Sequence, residues 1–493
     1  MTARLPNIVW IVLDTTGAKH MSLYGYERET TPNLERLSTE FRVLTRCFAP
    51  SCWTVPSHAS MFTGLYPSEH GADESTFLLD QRCRHLVTIL KQLGYRTYGF
   101  SANSMVSHVN GLCRDFDKLV EFDLEPILSW METPENVERK DFLEKLLYMP
   151  FDVKKIRFFL QYIWQARDWF VLQRYLTRWR RKILKQTPFH VSWRFTEKIK
   201  HHSLSLVSAH VTQEQVPLFL FINIVNNHQM YNPPRRCRKF SGYLDRQGFG
   251  TPRLYLPENG TLARNNIEKF INLYDDEVVY IDIFLKEFID GLKSIRSFDF
   301  DNTMFIITSD HGEHIGEKGH FGHALSLYNE LLWVPLLIKF PGNSYAKGPD
   351  RRLCTLNDLF ATVMEVCESP IPVPRSAVSL IGESQRDSLA SMIIDSKFMW
   401  KELPESKTGP EWRKKVRSSK FALYLDEGWK IIKGEDNNIE IYNLNSSLNE
   451  DSNLVSSLPV EIASQFTGLL DYHQNEVGYN DIITDNKVNL LSD

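Results

Sequence analysis

Asn7-Ile-Val-Trp-Ile-Val-Leu13 runs straight into Asp14-Thr15, and Thr303-Met-Phe-Ile-Ile-Thr308 runs straight into Ser309-Asp310-His311-Gly312-Glu313. Apolar runs of this length with almost no polar alternation predict strands buried on both faces, as in a parallel sheet covered by helices. In such sheets ligands collect beyond the carboxyl ends of the strands. Two carboxylates and an imidazole delivered to one rim are the donor set of a divalent-metal site. The plainer reading is that each Asp caps a following helix; for one such turn the two readings compete evenly, and the pair tips the balance to the metal.

A third segment, Ala49-Pro-Ser-Cys-Trp-Thr-Val-Pro-Ser-His-Ala-Ser-Met-Phe-Thr-Gly-Leu-Tyr-Pro67, puts the Thr54 hydroxyl two residues before a proline, where a helix ending near Gly64 is predicted to open. A hydroxyl there sits in the positive potential of a helix N-terminus, which stabilises an alkoxide or an anionic substrate. Together the three segments resemble the sulfatase branch of the alkaline phosphatase superfamily. That branch has an N-terminal strand ending in a metal-binding Asp, a nucleophile in a Cys/Ser-x-Pro-x-Arg…Thr-Gly segment, and a later Ser-Asp-His/Asn-Gly. The resemblance continues in order through Thr31-Pro-Asn-Leu-Glu-Arg-Leu37, Gly94-Tyr-Arg-Thr97, Asn227-His228…Tyr231-Asn-Pro-Pro234, Gly319-His-Phe-Gly-His323, Val334-Pro-Leu-Leu337 and Thr355-Leu-Asn-Asp-Leu359. It implies an α/β/α sandwich with a mostly parallel central sheet and a small C-terminal antiparallel subdomain.

The nucleophile position departs from that family. Its Cys or Ser is converted to formylglycine; in this chain the position is Thr54, and His58 stands where the motif has Arg. Cys52 lies four residues before Pro56 rather than two and does not fit the motif. Threonine cannot become formylglycine, so the resemblance shifts towards relatives with an unmodified Thr nucleophile, the phosphodiesterases, phosphoethanolamine transferases and lipoteichoic-acid synthases. A sulfated formylglycine hydrate expels sulfate by collapsing to the aldehyde. An esterified threonine has no such exit and needs a second nucleophile at phosphorus or sulfur. That chemistry favours a phosphate or phosphonate ester over a sulfate ester.

By the resemblance, Asp14, Asp310, His311 and the Thr54 oxygen would bind one divalent ion (Mn, Zn, Mg or Ca). The family's second acidic residue is Thr15 here, and that lost charge beside a His ligand tilts the choice away from Ca. No second metal pair is expected. His228 resembles the histidine on the leaving-group oxygen, and His323 stands where sulfatases carry a lysine on the anion; both are assigned to catalysis with Thr54. Asn103 and His58 are assigned to substrate binding, and His314 and His320 to solvent or supporting positions. The expected function is hydrolysis of a small anionic ester through a covalent intermediate. The alternatives are a phosphoryl-group transferase, in which an alcohol replaces water, and a non-catalytic sulfatase-like protein.

Composition agrees with this reading. The 493 residues are 42% apolar and 24% charged, as in a soluble globular protein of one large and one smaller domain. A net charge of −4 gives no support to a global nucleic-acid role. The first strand begins by residue 7, so no signal peptide is expected, and that run is too short to span a membrane. Seven scattered cysteines without Cys-x-x-Cys suggest reduced thiols in a cytoplasmic protein.

The expected organisation is a catalytic domain over 1–380, an α+β subdomain over 381–475 and a polar tail over 476–493. Leu86–Leu93 and Ile267–Leu292 are predicted helices, and Thr97–Ser101 and Leu218–Val225 predicted strands. Phe421–Leu425, Trp429–Ile432 and Ile439–Tyr442 form antiparallel hairpins, followed by a helix over Pro459–Leu470. Residues 125–200 have no counterpart in the resemblance. Within them Val153–Lys185 carries ten basic side chains against Asp168 alone, interleaved with Trp164, Trp169, Trp179 and other aromatics. This composition suits peripheral contact with an anionic membrane or a clamp on an anionic substrate; a helical lid with solvated charges is the plainer alternative.

Overall fold

The computed structural model describes residues 5–121, 192–243, 245, 264–324, 326–394, 420–434 and 438–476. The basic aromatic segment 153–185 and the tail after 476 lie outside the described residues.

An eight-stranded sheet is built from β1 (Asn7–Leu13), β2 (Arg42–Phe48), β3 (Arg96–Ser101), β4 (Lys118–Glu121), β5 (Leu218–Ile224), β6 (Thr303–Thr308), β9 (Leu336–Lys339) and β10 (Gly348–Thr355). β7 (His314–Ile315) and β8 (Phe321–Gly322) form a separate small hairpin. The order across the large sheet is β10-β2-β9-β6-β1-β5-β3-β4. All neighbours pair in parallel except at β9, which runs antiparallel to both β2 and β6. This is the expected α/β class with a mostly parallel sheet; the reversal of β9 is an addition to it.

The unbroken apolar run of β1 is explained by its two faces. Ile8, Trp10 and Val12 enter one core, with Val55, Ala59 and Phe62 of the helix Thr54–Thr63 and Leu359 and Val363 of the helix Asp358–Val366. Val9, Ile11 and Leu13 enter the other, with Leu273, Val278, Ile281 and Phe284 of the helix Arg264–Ser294 and Ile199 of the helix Ser192–Gln213. All six side chains of the strand interior are fully buried. At roughly 1.5–3 kcal/mol for each large apolar side chain, both faces are strongly specified.

A second sheet has the order β11 (Ser388–Ile393), β12 (Lys420–Leu425), β13 (Trp429–Gly434), β14 (Ile439–Asn443), antiparallel throughout. Its residues alternate between two environments. Phe421, Leu423 and Ile431 pack with Phe466 of the helix Val460–Glu476, whereas Ala422, Tyr424 and Ile432 join the first core of the large sheet. Tyr424 stacks on Phe48 at 4.1 Å between ring centroids. Ser391 Oγ donates to Ala49 O at 2.6 Å and Met392 N to Pro50 O at 2.9 Å, which fixes the chain just ahead of Thr54. No described helix is long and apolar enough to cross a membrane.

Candidate active site

The sheet order alone brings the site together. β6, β1, β5 and β3 are consecutive neighbours, so Asp310, Asp14, Asn223 and Asn103 emerge at one rim. Asp14 N donates to Ile224 O at 2.9 Å, extending the ladder of β1 and β5 past its last apolar pair. The ligand atoms of Asp14, Asp310 and His311 all lie within 4.8 Å of one another, and all three residues are buried. This is the single such cluster among the described residues.

The turn after β1 is shaped to fit. Thr15 holds a φ of 59°, a conformation that a β-branched residue rarely adopts. It thereby turns its N–H onto Asp310 Oδ1 (3.2 Å), while its hydroxyl donates to Asp14 O (2.7 Å) and its carbonyl accepts from Tyr274 Oη (2.7 Å). Asp310 Oδ1 also accepts from His311 N at 2.9 Å. A Cβ on Gly312 would fall 2.1 Å from the Glu330 carbonyl oxygen, so only glycine lets the turn after β6 close.

Thr54 is the first residue of its helix and is 4% exposed. Its Oγ1 lies 3.4 Å from His311 Nε2 and accepts from Asn103 Nδ2 at 3.4 Å. Asn103 Nδ2 also donates to Asp14 Oδ2. His311 Nδ1 faces Gly312 O at 2.8 Å, which places the proton on Nδ1 and leaves the Nε2 lone pair for the cluster. Burial lowers His311 to about 4, so the ring is neutral. Burial, then the charge on Asp310, pushes Asp14 well above the usual carboxylate range. Asp310 itself is held low: burial opposes this, but His311, His58 and the Thr15 N–H outweigh it.

On the next flank three imidazoles stand in a row. Ring centroids are 4.6 Å apart for His311 and His323 and 5.1 Å for His323 and His228. His323 Nδ1 lies 2.9 Å from Glu313 Oε1; burial disfavours the imidazolium, but the Glu313 carboxylate raises the His323 pKa. His228 is lowered by burial and then by His323.

Asp14, Thr54, Asn103, His228, Asp310, His311 and His323 are thus gathered as the sequence order suggested. His58, expected to contact substrate, is gathered too, as a fully buried ring. It has no exposed surface, Nδ1 lies 2.9 Å from Thr54 O, and Nε2 lies 3.2 Å from Asn223 Nδ2, so both nitrogens face protein groups. His314 is buried with Nε2 2.7 Å from Ser326 Oγ, a supporting position rather than a solvent one. Cys52 is fully buried, and burial pushes its thiol far up, the opposite of a reactive sulfur.

Asn223, Glu313 and Tyr274 belong to this neighbourhood without having been singled out. For Asn223 the signal was available: it is the one polar residue in Leu-Phe-Leu-Phe-Ile-Asn-Ile224. Glu313 lay inside the Ser-Asp-His-Gly-Glu turn, but nothing local tied it to His323. Tyr274 reads as one more apolar position of a long helix.

Comparison with known proteins accords with this architecture. An N-acetylgalactosamine-6-O-sulfatase of Bacteroides thetaiotaomicron is 31% identical over 97 residues, 19% of each chain. An N-acetylglucosamine-6-O-sulfatase of the same organism is 22% identical over 442 residues, 83% of this chain and 73% of the relative. Among solved structures, a 2-O GAG sulfatase superposes with a TM-score of 0.66 at 15% identity, covering 99% of this chain and 96% of that one. A phosphonate monoester hydrolase of Agrobacterium radiobacter gives 0.63 at 16% identity, with 96% of each chain covered. Residues 6–369 match the sulfatase family as a whole, and with the fold and the rim cluster in place this chain belongs to the sulfatase family.

Proposed function

We propose that this protein is a metal-dependent hydrolase that cleaves a small anionic phosphate, phosphonate or sulfate ester through Thr54. The observation that carries this reading is the convergence of a helix-N-terminal hydroxyl on a buried Asp–Asp–His cluster. Asp14 Oδ1 and Asp310 Oδ2 are buried and accept no hydrogen bond. Buried carboxylate oxygens left without a donor are costly unless a cation satisfies them, so the residues fit a divalent ion. Asp14, Asp310 and His311 would hold it, with the Thr54 oxygen beside them. Two carboxylates and one imidazole suit Mn, Zn or Mg better than Ca. When bound, such an ion supplies positive charge that lowers a hydroxyl pKa and offsets charge on the ester oxygens.

The chain's own groups then divide the work. Thr54 Oγ1, its hydroxyl proton released to solvent, attacks phosphorus or sulfur as the bond to the leaving oxygen breaks. The helix N-terminus favours the anionic group at Thr54, and Asn103 orients the hydroxyl. His323, with Nδ1 turned to Glu313 and its charge supported there, donates a proton from Nε2 to the leaving group, with His228 packed against it. Water then attacks the same phosphorus or sulfur, giving a proton to the neutral His323, and the bond to Thr54 Oγ1 breaks with that oxygen regaining a proton from solvent; threonine has no aldehyde to collapse to. Both sulfatases and phosphonate hydrolases share this fold, so the preference for a phosphate or phosphonate ester rests on that second step.

Purified protein assayed with an aryl sulfate, a phosphate monoester, a phosphodiester and a phosphonate monoester, across several divalent ions, tests the reading. Thr54→Ala is expected to lose at least about three orders of magnitude in turnover. The Ser51–Leu65 peptide is expected to be chemically unmodified by mass spectrometry. An aldehyde at Cys52, or a fully active Thr54→Ala protein, would sink the assignment.

A further inference from the structure

We infer that Asn223 and His58 form a buried positioning pair that fixes His58 as the Nδ1–H tautomer and so sets the Asp310 carboxylate for a cation. The inference rests on the reading of Asp14, Asp310 and His311 as a cation site.

Two independent contacts agree on the tautomer. His58 Nδ1 is 2.9 Å from Thr54 O and 3.5 Å from Asp310 Oδ2. A carbonyl and a carboxylate offer no hydrogen, so Nδ1 must carry one. On the other side Nε2 is 3.2 Å from Asn223 Nδ2, and an amide nitrogen only donates, so Nε2 is the acceptor. Neither residue has any exposed surface, and water does not compete for these contacts. Asn223 pairs with Val12 on β1 and Ser101 on β3, at the end of a strand that is otherwise apolar. A polar side chain buried there needs partners, and Asn223 meets both the His58 ring and the Asp14 carboxylate.

The effect falls on Asp310. Its Oδ1 is held by the Thr15 and His311 N–H groups, while Oδ2 accepts no hydrogen bond and lies 3.5 Å from His58 Nδ1 and 3.4 Å from His311 Nε2. His58 Nδ1 stands beside Oδ2 without bonding it, so that oxygen stays available to a cation. The same ring nitrogen also holds the Thr54 carbonyl, so carboxylate and nucleophile share one support. Partners of this kind, one shell out from a ligand, change metal affinity by about 10–100-fold when removed. His58 does not meet substrate or cation; it acts through Asp310 and Thr54.

The test is carried out on the full chain. Nitrogen-15 NMR of the histidine rings reads the tautomer directly: Nδ1–H at His58 is expected, and an Nε2–H or doubly protonated ring overturns the inference. Mn²⁺ binding is then measured by calorimetry. His58→Asn keeps a donor at the Nδ1 position and is expected to bind within about threefold of the parent, whereas His58→Gln, whose amide replaces Nε2, is expected to bind about 10–100-fold more weakly. Equal weakening by both variants, or by neither, overturns the inference. Asn223→Leu leaves the helix untouched should His58→Gln fail to fold. The Thr54 carbonyl still holds the Nδ1 hydrogen, and with the ring's other support gone Mn²⁺ is expected to bind about tenfold more weakly; an unchanged affinity counts against the pair. A parent protein that binds no Mn²⁺ defeats the hydrolase reading instead, and the tautomer alone then decides the role of His58.

Discussion

Asp14→Asn is expected to stabilise the protein without a divalent cation and to leave it less stable than the parent with one. Asp14 and Asp310 are fully buried, with ligand atoms within 4.8 Å. At an effective dielectric of about 20, two like unit charges at that separation repel by about 3.5 kcal/mol. That repulsion, added to burial as the larger cause, raises the Asp14 pKa above its ordinary 3.8. The native state therefore keeps a proton that the unfolded chain gives up near pH 4. For this group stability is fully present below the unfolded pKa and is lost as pH rises through the folded one. Asparagine keeps an oxygen for the Asn103 amide and carries no charge. Its gain over the parent in chelator is then about 1–3 kcal/mol at neutral pH and above, and close to zero near pH 4. A cation at a thousandfold over its dissociation constant adds about 4 kcal/mol to the parent, most of which the variant lacks. Urea unfolding at acid, neutral and mildly alkaline pH, in chelator and in Mn²⁺, reads the effect as a reversal of rank order. A variant that is less stable than the parent in chelator at neutral pH, or that Mn²⁺ stabilises equally, refutes the reasoning.

Three further outcomes follow from other parts of the molecule. Lys430 and Glu450 are a fully buried ion pair at 2.6 Å, so Lys430→Met alone is expected to cost about 3–5 kcal/mol in chemical denaturation, and adding Glu450→Gln to recover more than half; a double variant no better than the single one rules out the stranded charge as the cause. Burial opposes protonation of His20, but Asp275 and Glu317 carry its pKa from 6.5 to about 9, so its contribution is full below about pH 6.5 and lost as pH rises through 9; His20→Asn is expected to flatten the stability profile between those limits, and an unchanged slope counts against it. If the basic aromatic segment meets an anionic membrane, vesicle binding falls steeply with salt and vanishes when Arg178, Arg180, Arg181 and Lys182 become Gln, at about 1 kcal/mol per charge; a change in KM with no vesicle binding makes it a substrate clamp instead, and no change in either leaves a solvated helix face.

What the amino-acid sequence determined by itself is what short-range patterning encodes. The uninterrupted apolar runs into Asp14 and into Ser309-Asp310-His311 announce strands buried on two faces, because a side-chain period of two leaves no polar position free when both faces are covered. The hairpins β12–β14 are legible for a similar reason: their turns lie between consecutive strands and alternation marks the faces. Thr54 is legible because proline and glycine punctuate its helix, and Gly64 at φ 74° does end it. The tertiary structure decided whatever depends on a distant neighbour. β9 reverses because of what lies on either side of it, β2 and β6, which are far apart in the chain. β11 finds β12 across the segment 395–419, and its pairing is invisible from its own residues. Glu313 meets His323, Tyr274 braces Thr15, and Asn223 meets the His58 ring, each through contacts spanning from ten to more than two hundred residues. Local propensity and periodicity can name an element and the face it buries. The direction of a buried hydrogen bond is set only when remote strands have taken their places, because the groups that satisfy it arrive from elsewhere in the chain.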